Sequence, residues 1–137
     1  MDSGWRTKDQ QVEYVFGEES AYSGHEAFLG LHAADAHRGT KHLQNSTTLE
    51  AVFEKHHVPA FVDFLSLDTE GSEYEILSAT NLNKWIFGHV AVEHNQEEPK
   101  RSQIRKLLLA NGYVLDQEVT FDDWYVRQGC SVPSTLA

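Results

Sequence analysis

The spacing of apolar and polar positions predicts alternating helices and strands over residues 47–127. The clearest element is residues 61–67, a nearly unbroken apolar run with β-branched and aromatic members, which is typical of a strand buried on both faces of a parallel sheet. Further strands are predicted at 88–93, 113–119 and 124–127, and helices at 47–57, 72–79 and 99–110.

The remaining residues carry weaker patterns. Residues 12–16 alternate between apolar and polar side chains and predict one more strand. Residues 17–45 are rich in Gly, His, Ala and Ser and show no clear period. We expect residues 1–11 to be loose and residues 128–137 to be disordered, so the predicted domain spans residues 12–127.

The lengths of the connections predict how the strands pair. About 20 residues separate 61–67 from 88–93, and about 20 separate 88–93 from 113–119, which is enough for a crossover between parallel strands. The last connection, before 124–127, has about four residues and requires an antiparallel hairpin. The sequence therefore predicts an α/β fold with a mostly parallel sheet and a terminal antiparallel hairpin.

Acidic residues follow the apolar strand where parallel sheets bind ligands, beyond the carboxyl ends of their strands. Asp68 and Glu70 come directly after 61–67, and Glu93 ends the next predicted strand. Residues 63–75 contain five acids and no Lys or Arg. Because Asp68 and Glu70 lie on a loop at a strand end, we interpret them as candidates for catalysis or for binding a cationic ligand.

Other polar patterns are interpreted as structural. Ser72 with Glu75, and Thr47 with Glu50, have the spacing of capping boxes at the starts of two predicted helices. One basic cluster is interpreted as the solvated face of the predicted helix at 99–110. It consists of Lys100, Arg101, Arg105 and Lys106.

The composition limits the partners of the chain. With 11 Lys and Arg against 21 Asp and Glu, the net charge of −10 argues against binding to nucleic acid or to an anionic membrane surface. No apolar run approaches the ~20 residues of a membrane-spanning helix, and the N-terminus does not resemble a signal peptide. The single cysteine, Cys130, cannot form an internal disulfide, so we expect a reducing, cytoplasmic setting.

Residues 64–73 read Phe-Leu-Ser-Leu-Asp-Thr-Glu-Gly-Ser-Glu. They resemble the signature segment of FkbM-type methyltransferases, in which a buried strand runs into Asp-x-Glu-Gly-x-Glu. Residues 90–95 resemble the next strand of that family, residues 48–53 its preceding helix and residues 123–126 its last hairpin strand. The resemblance covers residues 12–127 and implies that the sheet is the C-terminal half of a Rossmann-like class I methyltransferase sheet.

The resemblance also implies S-adenosylmethionine as the cofactor and a hydroxylated small molecule as the acceptor, with methyl transfer to oxygen. The residues implied in catalysis are Asp68, Glu70 and Glu93. Those implied in cofactor binding are Asp68, Tyr22, Ser23 and Gly24, and those in acceptor binding are Glu70, Glu73, His94 and Asn95. A bound metal is not expected, and the sequence does not select one carboxylate as the general base.

One departure from the family pattern concerns the cofactor. FkbM-type enzymes bind it mainly through the first half of the sheet, where a Gly-rich turn follows the first strand and an acid ends the second. Gly17, Gly24 and Gly30 are too widely spaced for such a turn. We therefore expect a chain that lacks this half and binds S-adenosylmethionine weakly or not at all alone. The edge of strand 61–67 is expected to associate with the missing N-terminal half or with a second copy.

Two other functions stay open. A Mg²⁺ or Mn²⁺ ion would suit carboxylate ligands and would indicate a metal-assisted hydrolase. The residues that could supply those ligands are Asp68, Glu70, Glu93 and His94. The missing cofactor half favours instead a remnant without catalytic activity, or a chain that needs a partner. A metal found by elemental analysis would favour the hydrolase, and failure to bind S-adenosylmethionine would favour the remnant.

Overall fold

The computed structural model describes residues 11–16, 24–25 and 40–129 of the 137-residue chain. Its first strands are β1 (Gln11–Phe16), β2 (Gly24–His25) and β3 (Thr40–Asn45). They form an antiparallel sheet with the order β2-β1-β3. The strand predicted at residues 12–16 is thus present. The tail predicted at residues 128–137 lies outside the described residues from residue 130 onward. The predicted domain limits, residues 12 and 127, stay a prediction.

The second sheet has four strands: β4 (Phe61–Leu67), β5 (Ile86–Glu93), β6 (Tyr113–Val119) and β7 (Asp122–Arg127). Three helices accompany them: α1 (Leu49–Lys55), α2 (Glu73–Ser78) and α3 (Lys100–Ala110). Each of these elements was predicted from the apolar pattern, with ends that differ by at most two residues. None of the described helices is both long and apolar enough to cross a membrane.

The strand order of the second sheet is β4-β5-β7-β6. β4 and β5 are parallel neighbours and β6 and β7 form an antiparallel hairpin, so both predicted pairings are confirmed. The expectation of a mostly parallel sheet needs a correction, because β7 turns back between β5 and β6 and two of the three neighbouring pairs are antiparallel. The short link through Thr120 and Phe121 permits only an antiparallel return, and β7 then pairs with β5 on its other side.

The prediction that residues 61–67 are buried on both faces is wrong. Phe61 and Phe64 are each 49% exposed, and Leu67 is the only buried residue of β4. The buried strand is β5, with five of its eight residues buried. β4 lies at an edge of the described sheet whereas β5 has a neighbour on each side, so burial follows position in the sheet rather than apolar content.

The core joins β5 and the hairpin to the helices. Its largest fully buried apolar and aromatic side chains are Tyr113, Tyr125, Phe87, Leu77 and Leu108. The Phe87 N–H donates a hydrogen bond to Tyr113 Oη at 3.0 Å, which links β5 to β6 through the core. Trp85 packs edge-on against Phe53 of α1, with ring centroids 5.1 Å apart. The three helices and the strands β4 and β5 therefore pack against one common hydrophobic core.

The first helix begins one residue later than the predicted capping box implies. Thr48, not Thr47, caps α1, because its Oγ1 accepts a hydrogen bond from the Ala51 N–H at 3.1 Å. Glu50 does not close the box, since its carboxylate accepts a hydrogen bond from the Asn81 N–H. Two adjacent threonines have equal capping tendency, so the sequence pattern alone does not distinguish them.

Candidate active site

Three carboxylates meet at the carboxyl ends of the parallel pair β4–β5. Asp68 directly follows β4, Glu70 lies in the next loop, and Glu93 is the last residue of β5. Because the strands are parallel neighbours, their carboxyl ends lie side by side. One oxygen from each of the three carboxylates lies within 4.8 Å of the others. We call Asp68, Glu70 and Glu93 the acid cluster; they are the three residues that the family resemblance implies in catalysis.

Glu73 shapes the loop that carries Glu70. Its Oε1 accepts hydrogen bonds from the Thr69 N–H at 2.6 Å, the Thr69 hydroxyl at 3.1 Å and the Gly71 N–H at 3.3 Å. Glu73, a predicted acceptor-binding residue, is only 4% exposed, and its carboxylate binds the backbone of its own loop. The loop holds Glu70 at φ 56°, a left-handed conformation that non-glycine residues adopt at an energetic cost.

The predicted capping box of Ser72 and Glu75 is wrong. Ser72 is the N-cap residue of α2, but its side chain makes no capping hydrogen bond and instead donates to Thr69 Oγ1 at 2.8 Å. Its ψ of 11° lies outside the extended conformation typical of a capping side chain. Glu73, rather than Ser72, accepts hydrogen bonds from the N–H groups of the loop. Glu75 is half-buried, and this burial raises the pKa of Glu75.

The crowding of the acid cluster changes the protonation of Glu93. Burial, the hydrogen bond and charge of Asp68 and the charge of Glu70 together raise the pKa of Glu93 to about 8. At neutral pH Glu93 therefore holds a proton beside Asp68. The ionised form of Glu93 is a stronger base than an ordinary carboxylate, and its pKa lies near the optimum for general acid–base catalysis.

Glu93→Gln is expected to stabilise the protein at pH 9 and to have little effect at pH 5. The folded-state pKa of Glu93, about 8, exceeds the free value of 4.5, so the stability of the wild-type protein falls as the pH rises between these values. Because glutamine carries no charge, the stability of Glu93→Gln does not fall in this way as the pH rises. We expect a gain of about 2 kcal/mol at the higher pH, measured as several degrees in Tm. Equal gains at both pH values would show that charge is not the cause.

His94 and Asn95 directly follow Glu93, and both line one pocket with two members of the acid cluster. The His94 side chain is 2% exposed, with Nε2 3.5 Å from Asp123 Oδ1, while Nδ1 accepts a hydrogen bond from the Gln96 N–H at 2.8 Å. Burial lowers the pKa of His94, although the Asp123 charge opposes it, so the imidazole is neutral at pH 7. Asn95 has φ 45° and lies partly exposed in the turn after β5. All four predicted acceptor-binding residues line this pocket, and the His94 ring also lies against β7.

An ion-pair cluster that was not predicted from the sequence joins α3 to β7. Asp123 is 2% exposed and accepts hydrogen bonds from Arg101 Nε and Nη2 at 3.0 and 2.7 Å and from Arg105 Nη2 at 2.8 Å. Burial acts to raise the pKa of Asp123, but the two arginines outweigh it and lower the pKa to about 2. The interpretation of Arg101 and Arg105 as a solvated face is therefore wrong. Their spacing of four residues, which places both on one face of a helix, is the signal that could have indicated a shared partner.

The residues predicted to bind the cofactor are described only in part. Tyr22 and Ser23 lie outside the described residues, and Gly24 lies in β2 of the first sheet. Asp68 is the member of this set that the structure places in the acid cluster, with an exposed side chain. Carboxylates in this arrangement can pair with a cationic group, accept hydrogen bonds from hydroxyls or bind a hard divalent cation.

The described residues thus define an α/β protein with an acidic site at the carboxyl ends of two parallel strands. Comparison with known protein families matches residues 4–115 to the Methyltransferase FkbM domain. The match covers most of the 137 residues, so the chain belongs to the FkbM methyltransferase family, and the predicted resemblance is confirmed. Comparisons with curated proteins and with solved structures give no match.

Proposed function

We propose that this chain is an S-adenosylmethionine-dependent methyltransferase that methylates a hydroxyl group of a small molecule at the acid cluster. One observation carries the proposal: in a chain of the FkbM family, three carboxylates converge at the ends of two adjacent parallel strands. Open α/β sheets bind their ligands at this edge. The parallel pair β4–β5, closed by the antiparallel β7, supports the assignment of the second sheet as the C-terminal half of a Rossmann-like sheet.

Methyl transfer to a hydroxyl group requires positioning of the reactants and a base for the hydroxyl proton. Bound S-adenosylmethionine supplies an electrophilic methyl group, and the carboxylates of the acid cluster suit its positive charge. Ionised Glu93 accepts the proton of the acceptor hydroxyl, because its raised pKa makes it the strongest base of the cluster. Asp68 then accepts a hydrogen bond from the protonated Glu93, and Glu70 accepts one from a further hydroxyl of the acceptor.

The test uses the 137-residue chain and S-adenosylmethionine with an isotope-labelled methyl group. Isothermal titration measures cofactor binding, and NMR detects the label after incubation with a panel of sugars and polyols. Because the sequence predicts weak binding of S-adenosylmethionine by this chain alone, the cofactor is supplied in large excess. We then expect the label on an acceptor oxygen, at a rate that increases as the pH rises through about 8 and Glu93 ionises. The absence of both binding and transfer would overturn the proposal for this chain. It would favour a remnant without catalytic activity or a chain that requires a partner.

A metal-assisted hydrolase is the second candidate, and the spacing of the acid cluster favours it. Three carboxylate oxygens within 4.8 Å of one another can share one hard divalent cation. A bound cation would stabilise the ionised form of Glu93 and lower its pKa. Elemental analysis of the purified protein, together with a Mg²⁺ titration followed by NMR of the Glu93 carboxyl, decides between the candidates. One bound metal ion per protein, together with a lowered pKa of Glu93, would favour the hydrolase over the methyltransferase.

A further inference from the structure

We propose that Lys100 is a positioning residue, which fixes the loop of residues 68–72 over the end of β5 and thereby holds Glu70 beside Glu93. The catalytic part of this inference rests on the proposed function. The structural part does not, because it concerns a contact between the first residue of α3 and a loop. Lys100 was interpreted from the sequence as one of four solvated cations on a helix face, and this role is different.

The contact is a hydrogen bond between segments that are distant in sequence. Lys100 Nζ donates to Gly71 O at 2.9 Å, across a separation of 29 residues. The N–H of Gly71 donates to Glu73 within the same loop. Both backbone polar groups of Gly71 are therefore held, one by the loop itself and one by α3. The Lys100 side chain is 29% exposed, so this charge-assisted hydrogen bond is partly shielded from water.

The loop has a strained backbone beside the acid cluster, so a contact that holds it from outside adds to the hydrogen bonds of Glu73. Glu70 has φ 56°, a conformation that is unfavourable for a residue with a Cβ atom. Such conformations persist where the surrounding structure imposes them, and they are concentrated at functional sites. Gly71 follows with φ 115°, which glycine adopts readily. Without the Lys100 contact, Glu70 can relax to an ordinary conformation, and its carboxylate then moves away from Glu93.

The start of α3 is itself fixed, so Lys100 approaches the loop from a rigid support. Lys100 is the first residue of α3, and the next residue, Arg101, donates two hydrogen bonds to the buried Asp123 of β7. Glu97, just before the helix, lies 3.6 Å from Lys100 Nζ and further restricts its position. A continuous series of contacts therefore connects β7, through the first turn of α3, to the loop that carries Glu70.

Three variants test this contact. Lys100→Met removes the donor, Lys100→Arg keeps a donor, and Lys106→Met removes the same charge from an exposed position of the same helix. NMR of the full chain measures the hydrogen exchange of the Thr69 and Gly71 amides, which donate to Glu73. We expect exchange to be about 10-fold faster in Lys100→Met and close to wild type in the other two variants. Equal exchange in Lys100→Met and in the wild-type protein would overturn the proposal.

Kinetics distinguish a positioning role from a purely structural one. In a protein that transfers methyl groups, Lys100→Met should lower kcat by about 10-fold with little change in the KM for S-adenosylmethionine, and Lys100→Arg should restore most of the rate. Faster amide exchange with an unchanged kcat would overturn the positioning role. If the wild-type protein transfers no methyl group, the proposed function fails, whereas hydrogen exchange still decides whether Lys100 holds the loop.

Discussion

Asp68→Asn is expected to lower the rate of methyl transfer by about 100-fold or more without unfolding the protein, a loss in the range for general acid–base catalysis. The side chain of Asp68 is exposed and lies beside Glu93 in the acid cluster, so asparagine fits the site but cannot share the proton in the same way. Turnover with labelled S-adenosylmethionine measures the loss. Asp63→Asn is the control, because it makes the same change at an exposed acid of β4. Near-normal turnover in Asp68→Asn would show that Asp68 is a loop acid without a catalytic role.

Glu93→Gln, combined with Asp68→Asn, tests whether the two carboxyl groups act as one unit. If they share one proton during catalysis, either change removes the same function, and the double variant loses little more than each single variant. Asp68 is one of the groups that raise the pKa of Glu93. The remaining activity of Asp68→Asn should therefore reach its midpoint at a lower pH than the wild-type activity. Additive losses and an unchanged midpoint would assign independent roles to the two residues.

The directions of the strands could be predicted because the length of a link restricts how it can join two strands. The long links permitted the parallel pairing of β4 with β5, and the short link required the antiparallel hairpin. The burial of β4 could not be predicted, since the apolar character of Phe61 and Phe64 does not reveal whether a strand has a neighbour on each side. The place of β7 depends on pairs such as Val90 with Tyr125, which no local pattern encodes.

The acid cluster could be predicted for the same reason as the sheet. Asp68 and Glu93 lie at the carboxyl ends of two strands whose parallel pairing the link length permits, and in that pairing the two residues lie close together. The directions of individual side chains could not be predicted. Glu73 turns inward because it satisfies N–H groups of its own loop. Asp123 accepts a hydrogen bond from Arg101, which lies 22 residues earlier in the sequence. That contact depends on how α3 packs against the sheet.

Asp123→Ala is expected to destabilise the protein by about 3 kcal/mol, at the lower end of the range for breaking a buried ion pair. The change removes the acceptor that joins Arg101 and Arg105 of α3 to β7, and that also accepts a hydrogen bond from the Tyr125 hydroxyl at 3.3 Å. The two arginine side chains are 25% and 33% exposed, so both can reach water after the carboxylate is lost. Denaturant unfolding measures the effect as a lower midpoint at an unchanged m value.

The pH dependence identifies the charge of Asp123 as the cause. Its folded-state pKa of about 2 lies below the free value of 3.8, so its stabilisation is present above pH 3.8 and is lost as the pH falls towards 2. The difference between the wild-type protein and Asp123→Ala should shrink over that interval. Asp116→Ala, at an exposed position of β6, should change stability by less than about 0.5 kcal/mol. A loss below about 1 kcal/mol in Asp123→Ala at neutral pH would show that apolar contacts of Ile104 and Leu108, rather than the ion pairs, hold α3 to the core.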